Sequence, residues 1–246
     1  EDFFTDVDIA LFDLPPSMTP AWVDVATARG VLVVDNSTAF RMDPDVPLVV
    51  YSGTMSWARG IETIITGIAH LPAEAHLVVV SVPLPHPMIP KLEALAAEHG
   101  VADRLHFVGP VGQNELLHYL SGADAAVHPL PGGSPNHDAA MPNKLFEYLH
   151  AGLPLVVSDA KLMAEFVTGH GVGEVFTSED PRSFGEQAAK VLADPSRYAV
   201  AEVAARYSWQ AQEEQILGLY GAMTGHPVQL PEGEFGSLEV READAG

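Results

Sequence analysis

The chain has 246 residues, 47% of them hydrophobic, no cysteine, and 12 Lys+Arg against 33 Asp+Glu, for a formal net charge of −21. This length suffices for one large domain or one domain plus a piece of another. The apolar content excludes a disordered chain, zero cysteines exclude disulfides, thiolate catalysis and Cys-based zinc sites, and the charge argues against nucleic acid or anionic lipid as partners.

Residues 1–46 contain the apolar run "DVDIALF", a helix-like "PAWVDVATARG" and a second run "VLVVDN". They read as the tail of a preceding α/β domain followed by a linker around Asn36–Pro47. From Pro47 onward, β-branched runs alternate with helix-period segments. "PLVVYSG" precedes "GIETIITGIAHL", "AHLVVVSV" precedes "PMIPKLEALAAEHG", and "RLHFVG" precedes "QNELLHYLSGA". "ADAAVHPL" leads through a Gly/Pro/Ser loop into the helix "PNKLFEYLH", and "LPLVVSD" follows. "VGEVFT" then precedes "DPRSFGEQAAKVLAD", with Asp180 as its cap and Pro181 at the first helical position. Continuous apolar runs are the mark of buried parallel strands. This series predicts an α/β fold, a Rossmann-like doubly wound parallel sheet flanked by helices, as a domain over 47–225. "SWQAQEEQILGLYGAM" is a final amphipathic helix, and 226–246 reads as an acidic flexible tail. No apolar run approaches the roughly 18 residues of a membrane span, and no signal peptide is seen; the start at Glu1 reads as a processed or excised fragment. A cytoplasmic setting fits, with any membrane association expected from the missing part.

In open α/β sheets ligands bind beyond the carboxyl ends of the strands. Four loops build that edge: Ser52–Gly60, "SVPLPHP", Val108–Gly112 and His128–Lys144. The fourth is long and rich in Gly, Pro, Ser and Asn, and it ends at a helix N-terminus, which attracts anions. Lys144 lies in that first turn, where a cation costs about 0.3–1 kcal/mol unless an anion reverses the sign. It is either a solvated surface residue or an anion ligand. Glu147, one turn in, is either an exposed helix carboxylate or an acceptor for two hydroxyls, such as a ribose 2′,3′-diol. Gly53 permits close approach of backbone to a ligand. Arg59 either makes a surface pair or reaches a diphosphate with its fork of donors. No Walker loop and no GxGxxG fingerprint is present. "PNHD" could hold a cation or, as turn chemistry, shape the loop, with sugar contact by Asn136, His137 or Asp138 a further option. Ser158-Asp159 reads as a cap for the next helix. Trp57 covers either a ligand or an interdomain face.

The pattern "YSGTMSWARGIETIITGI", "LHFVGPVGQNELLHYLSGADAAVHPL", "MPNKLFEYLHAGLPLVVSD", "VGEVF" and "YSWQAQEEQILGLY" resembles the C-terminal, donor-binding domain of retaining GT-B glycosyltransferases of the group 1 type. The resemblance runs from about Asn36 to Met223. Its most specific piece is "PNKLFEYLHAGLPLVVSD", similar to a bacterial subgroup; polysaccharide biosynthesis is the setting it implies. It further implies metal-independent transfer of a hexosyl-type sugar, with retention, from UDP-, GDP- or another nucleotide diphosphate sugar. It implies no cofactor, an unknown acceptor, and a missing N-terminal domain that carries acceptor contacts and part of the catalytic machinery. The implied nucleotide-sugar-binding set is Gly53, Thr54, Arg59, Val108, Asp138, Asn143, Lys144 and Glu147, without metal ligands.

Two positions depart from the family pattern. Thr54 stands where a diphosphate-binding Arg is expected, a loss of about 2–5 kcal/mol if that contact is buried. Ala139 stands where a sugar-side Glu is expected, with Asp138 one residue away. The departures motivate a second reading, a degenerate nucleotide-sugar-binding or interaction module without activity. A nucleotide-sugar 2-epimerase is a third, less favoured because "PNKLFEY" and the terminal "YSW" suit transferases. On the first reading this chain alone binds donor without turning over.

Overall fold

The structure, a computed structural model, describes residues 9–12, 19–29, 32–35 and 46–225. The expected tail after Gly225 and most of the expected linker lie outside the described residues. The chain divides into two units, residues 1–205 and 206–246.

The first unit opens with a βαβ piece: β1 (Ile9–Phe12), α1 (Thr19–Thr27) and β2 (Leu32–Asp35), the two strands paired in parallel. These elements match the two apolar runs and the helix-like segment between them. The main sheet follows. Its elements are β3 (Leu48–Gly53), α2 (Ile61–Gly67), β4 (His76–Ser81), α3 (Ile89–Glu98), β5 (Leu105–Val108), α4 (Leu116–Leu120) and β6 (Ala125–His128). Then come α5 (Pro135–Asp138), α6 (Asn143–His150), β7 (Leu155–Ser158), α7 (Lys161–His170), β8 (Gly173–Phe176), α8 (Pro181–Ala193) and α9 (Val200–Arg206). In the second unit α10 (Trp209–Thr224) begins at Ser208, whose hydroxyl accepts the Ala211 N–H, and stops at Gly225 in the left-handed conformation.

Six strands pair in the order β5-β4-β3-β6-β7-β8, all parallel. The chain lays β4 and β5 on one side of β3, then crosses back to place β6, β7 and β8 on the other. The direction of winding reverses between β3 and β6, so the helices that follow these two strands cover opposite faces and a crevice opens at their carboxyl ends. This is the doubly wound sheet expected from the alternation of apolar runs.

The core follows strand periodicity. Val49, Tyr51, Leu77, Val79, Ala125, Val127 and Val156 turn to one face and are fully buried beneath Ile61, Ile64 and Ile65 of α2, Leu92 of α3, and Phe184 and Ala188 of α8. Alternate positions, Val50, Val80, Ala126, Leu155 and Val157, are equally buried on the opposite parity, with Leu145, Tyr148 and Leu149 of α6 and Met163 and Val167 of α7. At the amino ends, the Asp124 carboxylate accepts the Leu48 N–H at 2.7 Å while the Asp124 N–H donates to the Leu48 carbonyl at 2.9 Å, pinning β3 to β6.

Helix starts divide into capped and uncapped. The Asp180 carboxylate accepts the N–H groups of Arg182 and Ser183, both at 3.0 Å, as its sequence context predicts. The cap expected from Ser158-Asp159 is not formed. Ser158 donates to the Leu130 carbonyl, and Asp159 accepts from Ser178. The first N–H of α7 instead reaches the Asp138 carboxylate at 3.4 Å. A residue at the end of α5 has taken the capping role.

Glu179 is the one non-glycine residue with positive φ among the described residues, at 61°. Left-handed backbone costs an ordinary L-residue roughly 1 kcal/mol, less for Asn. Its charge also acts on Glu62, whose carboxyl is pushed up chiefly by burial, with Glu179 adding to the rise. Glu179→Asn relieves both and should raise the free energy of urea unfolding by about 0.5–1 kcal/mol; an unchanged midpoint would show that neither strain nor repulsion is felt at this turn.

Candidate functional site

A cavity of about 550 Å³ opens at the crevice between β3 and β6. Its wall comes from three places: Ser56, Ala58 and Arg59 after β3; His128 and Leu130 at the end of β6; and Asn136, His137, Ala140, Pro142, Asn143, Lys144 and Glu147 from α5 to the second turn of α6.

The start of α6 determines the electrostatics of this wall. Its N-cap is Pro142, which offers no side-chain acceptor, so no side chain caps the first N–H groups of the helix. The Leu145 N–H turns back to the Pro142 carbonyl at 3.1 Å, leaving the amides of Asn143 and Lys144 at the positive end of the helix dipole. Lys144 adds a full charge at the same end. Its Nζ lies 3.5 Å from the Ser52 hydroxyl and 3.8 Å from Glu147 Oε2. Gly53 makes that placement possible. With φ of 123° it sits under the lysine stem, and a Cβ there would run into Lys144 Cε.

The floor is polar and tightly packed. Tyr148, buried within α6, accepts the Ser52 N–H through its hydroxyl at 2.9 Å, joining the helix to the last turn of β3. Burial pushes the Tyr148 phenol far above its usual range, so it stays neutral. Tyr51 donates to the Thr54 carbonyl at 2.9 Å, and its ring stacks on His128 with 15° between planes. Burial raises the Tyr51 phenol, with Arg59 opposing the rise.

Two wall residues carry unmet polar atoms. Glu147 Oε2 is buried without a hydrogen-bond partner among the described residues. Its nearest cation is Lys144 at 3.8 Å, beyond hydrogen-bonding range. His128 Nδ1 is likewise buried and unpartnered. Burial, helped by Lys144 and Arg59, pulls the His128 imidazole down to about 4, so it is neutral at physiological pH.

Of the residues singled out from sequence, Arg59, Asn143, Lys144 and Glu147 line one cavity, with Gly53 directly beneath Lys144. Thr54 is exposed and outside the wall, as is Ala139. Val108 ends the edge strand β5 and is absent from the wall. Two strand spacings, about 10 Å, separate β5 from β3. Asp138 is also outside the wall, because its carboxylate accepts the N–H of Gly133 at 3.1 Å and that of Lys161 at 3.4 Å. The loops after β4 and β5 give no wall residue at all, whereas the loops after β3 and β6 give all of it. "PNHD" forms the short helix α5, capped by the Ser134 hydroxyl accepting the His137 N–H. No cluster of three potential metal ligands exists among the described residues, and none of their helices is long and apolar enough to cross a membrane. Trp57 is exposed and does not line the cavity. The reasoning from sequence missed His128 as a wall residue and Ser52–Tyr148 as the floor. The signal for the first was a histidine ending an apolar strand; the second joins positions 96 apart and left no local trace.

An open parallel sheet with a cavity at its switch point, walled in part by an uncapped helix start and two cationic side chains, defines a doubly wound α/β domain. The sequence model for glycosyl transferases group 1 matches residues 46–194, and the chain belongs to that family. D-inositol 3-phosphate glycosyltransferase of Xylanimonas cellulosilytica is 26% identical over 214 residues, 85% of this chain and 49% of that protein. The chain thus spans about half the length of that relative. Sucrose-phosphate synthase from Thermosynechococcus elongatus superposes with a TM-score of 0.62 at 20% identity, over 89% of this chain and 59% of that one. Anabaena Alr3699/HepE, solved in complex with UDP and glucose, gives 0.60 at 16% identity, over 81% and 51%. These likenesses show a GT-B-type fold.

The first residues are similar to something else. The model for semialdehyde dehydrogenase, NAD binding domain, matches residues 1–52. Aspartate-semialdehyde dehydrogenase of Aquifex aeolicus is 52% identical over 50 residues, 20% of this chain and 15% of that enzyme. The two family matches share residues 46–52, which take in most of β3.

Two measurements check the site as a physical object. An unfolded chain exposes His128 with an ordinary imidazole pKa of 6.5, whereas the folded one holds it to about 4. Between those values the unfolded state binds the extra proton, so this contribution is complete above pH 6.5 and is lost as pH falls toward 4. His128→Phe should therefore lose less stability between pH 7 and 4 than the parent does, by about 3 kcal/mol, in urea titrations at each pH. Gly53→Ala forces a side chain into positive φ and displaces the Lys144 stem. It should cost about 1–3 kcal/mol of stability, and anion protection against thermal unfolding, measured with pyrophosphate, should weaken with it.

Proposed function

We propose that this cavity is the donor site of a glycosyltransferase and holds a nucleoside diphosphate sugar. The observation that carries the reading is the joint placement, at one uncapped helix start, of Arg59, Lys144 and a buried Glu147 oxygen without a partner. Asn143 and Lys144 amides, the lysine ammonium and the Arg59 guanidinium suit a diphosphate. A carboxylate one turn further along α6 suits a pair of vicinal hydroxyls such as the ribose diol, each of which would donate to it. The complex of Anabaena Alr3699/HepE with UDP and glucose supports this choice of ligand class.

On this reading the reaction breaks the bond between the anomeric carbon and the distal phosphate oxygen. The diphosphate leaves with an added negative charge, and the two cations and the helix start stabilise that charge where it develops, without a metal. Transfer of a hexosyl group with retention is what the family resemblance adds. The acceptor would dock on a surface outside the domain described here, so the chain by itself is expected to bind donor rather than turn it over.

Calorimetric titration with UDP and GDP tests the reading. The chain should bind at least one of them, and addition of EDTA should leave the affinity unchanged. Glu147→Ala should weaken that binding by about 10- to 100-fold, the worth of charge-assisted hydrogen bonds. Glu186→Ala is the control. Its carboxylate, 56% exposed, pairs with Arg182 on the surface of α8, and its loss should change affinity less than twofold. Equal effects of the two would discard the ribose assignment, and no binding of either nucleotide would favour a non-catalytic module instead.

A further inference from the structure

The cavity wall carries groups of different chemistry. Arg59 and Lys144 are cationic and Glu147 anionic, whereas α5 contributes an amide and an imidazole, Asn136 and His137. Along α6 Glu147 lies one turn in and the free amides of Asn143 and Lys144 lie at the start, while Asn136 and His137 of α5 line the same cavity. A ligand with its ribose at Glu147 and its phosphates at the helix start leaves the α5 side chains to meet its remaining, sugar portion.

His137, within α5, is held by two hydrogen bonds. Its N–H is fixed by the Ser134 hydroxyl at 3.2 Å, and its ring Nδ1 lies 2.8 Å from the Pro131 carbonyl oxygen. A carbonyl oxygen only accepts, so Nδ1 carries the proton, and in the neutral ring Nε2 is an acceptor. The neighbouring carboxylate, Asp138, does not line the cavity; its Oδ1 accepts the N–H groups of Gly133 and Lys161. A ring nitrogen acceptor held this way on the cavity wall suits a hydroxyl donor.

We infer that His137 selects the sugar portion of the donor, its Nε2 accepting a hydrogen bond from a sugar hydroxyl. The inference rests on the donor-site reading above. His137 is then a specificity-determining residue for the sugar and is indifferent to the nucleotide.

The test is calorimetry on the whole chain with UDP and GDP, and with UDP-glucose, UDP-galactose, UDP-N-acetylglucosamine and GDP-mannose. The parent chain should bind one sugar nucleotide more tightly than the bare nucleotide. His137→Ala should weaken that sugar nucleotide by about three- to tenfold, the range of one net neutral hydrogen bond, and leave the bare nucleotide within about twofold. Unchanged nucleotide affinity also shows that the variant is folded. His137→Gln should recover part of the loss, since its amide oxygen can stand near the Nε2 position. Three results overturn the inference while leaving the donor site in place: equal weakening of nucleotide and sugar nucleotide, no weakening of either, or no difference between nucleotide and sugar nucleotides in the parent chain. Failure of the donor-site reading looks different, because the parent chain would then bind neither UDP nor GDP, and both would fall together.

Discussion

A lysine held at the wrong end of a helix is the constraint from which the rest of the site follows. Lys144 lies in the first turn of α6, where the dipole disfavours a cation and Pro142 supplies no cap to soften it. Its ammonium is set against the Ser52 hydroxyl, over a glycine whose missing side chain makes the room. Among the described residues its carboxylate partner, Glu147, stands 3.8 Å off. On the proposed reading, an anion between the amides, the ammonium and Arg59 offsets the cost of a cation at this helix end.

The composition of the chain strengthens that argument. A protein with 12 basic residues against 33 acidic ones has a surface that repels anions. Two of those basic residues line a single cavity, and the helix start adds its own partial charge there. The same concentration of charge explains why His128 stays neutral, since Lys144 and Arg59 add to the effect of its burial. A neutral imidazole costs less to bury beside two cations than a charged one, and its stacking with Tyr51 remains intact.

What the sequence revealed and what it concealed divide by distance along the chain. The parallel strands were legible because buried strands are short apolar runs, and the Asp180 cap because its acceptor stands beside its donors. Lys144, Glu147 and Arg59 were legible because a helix start and a loop after a strand place them within a few residues of the signals that announce them. Val108 was chosen by the same logic and lies elsewhere. Every strand in such a sheet ends at the same edge, but only the pair at the switch point meets the cavity, and that depends on strand order. Asp138 lies off the cavity wall for a related reason: its partners, Gly133 and Lys161, lie on two different segments, and the second is 23 residues away. The Ser52–Tyr148 bond spans 96 positions and had no local signature.

The two family matches within one chain show the limit of pattern reading in another way. The stretch before β3 forms strand, helix and parallel strand, as its apolar runs require, and so does every unit after it. By periodicity the chain is one continuous series. By similarity it is not: residues 1–52 resemble part of a dehydrogenase's NAD binding domain and residues 46–194 belong to the group 1 transferases. Both kinds of domain are built from βαβ units, and burial, twist and handedness dictate the same pattern for each. The pattern therefore establishes layers and strand direction, while the chemistry must come from particular residues. The segment before β3 offers no glycine-rich phosphate fingerprint from which a dinucleotide site could be built. The groups that can meet an anion, an ammonium over Gly53, a guanidinium and two free amides, all follow the strand on which the two similarities overlap.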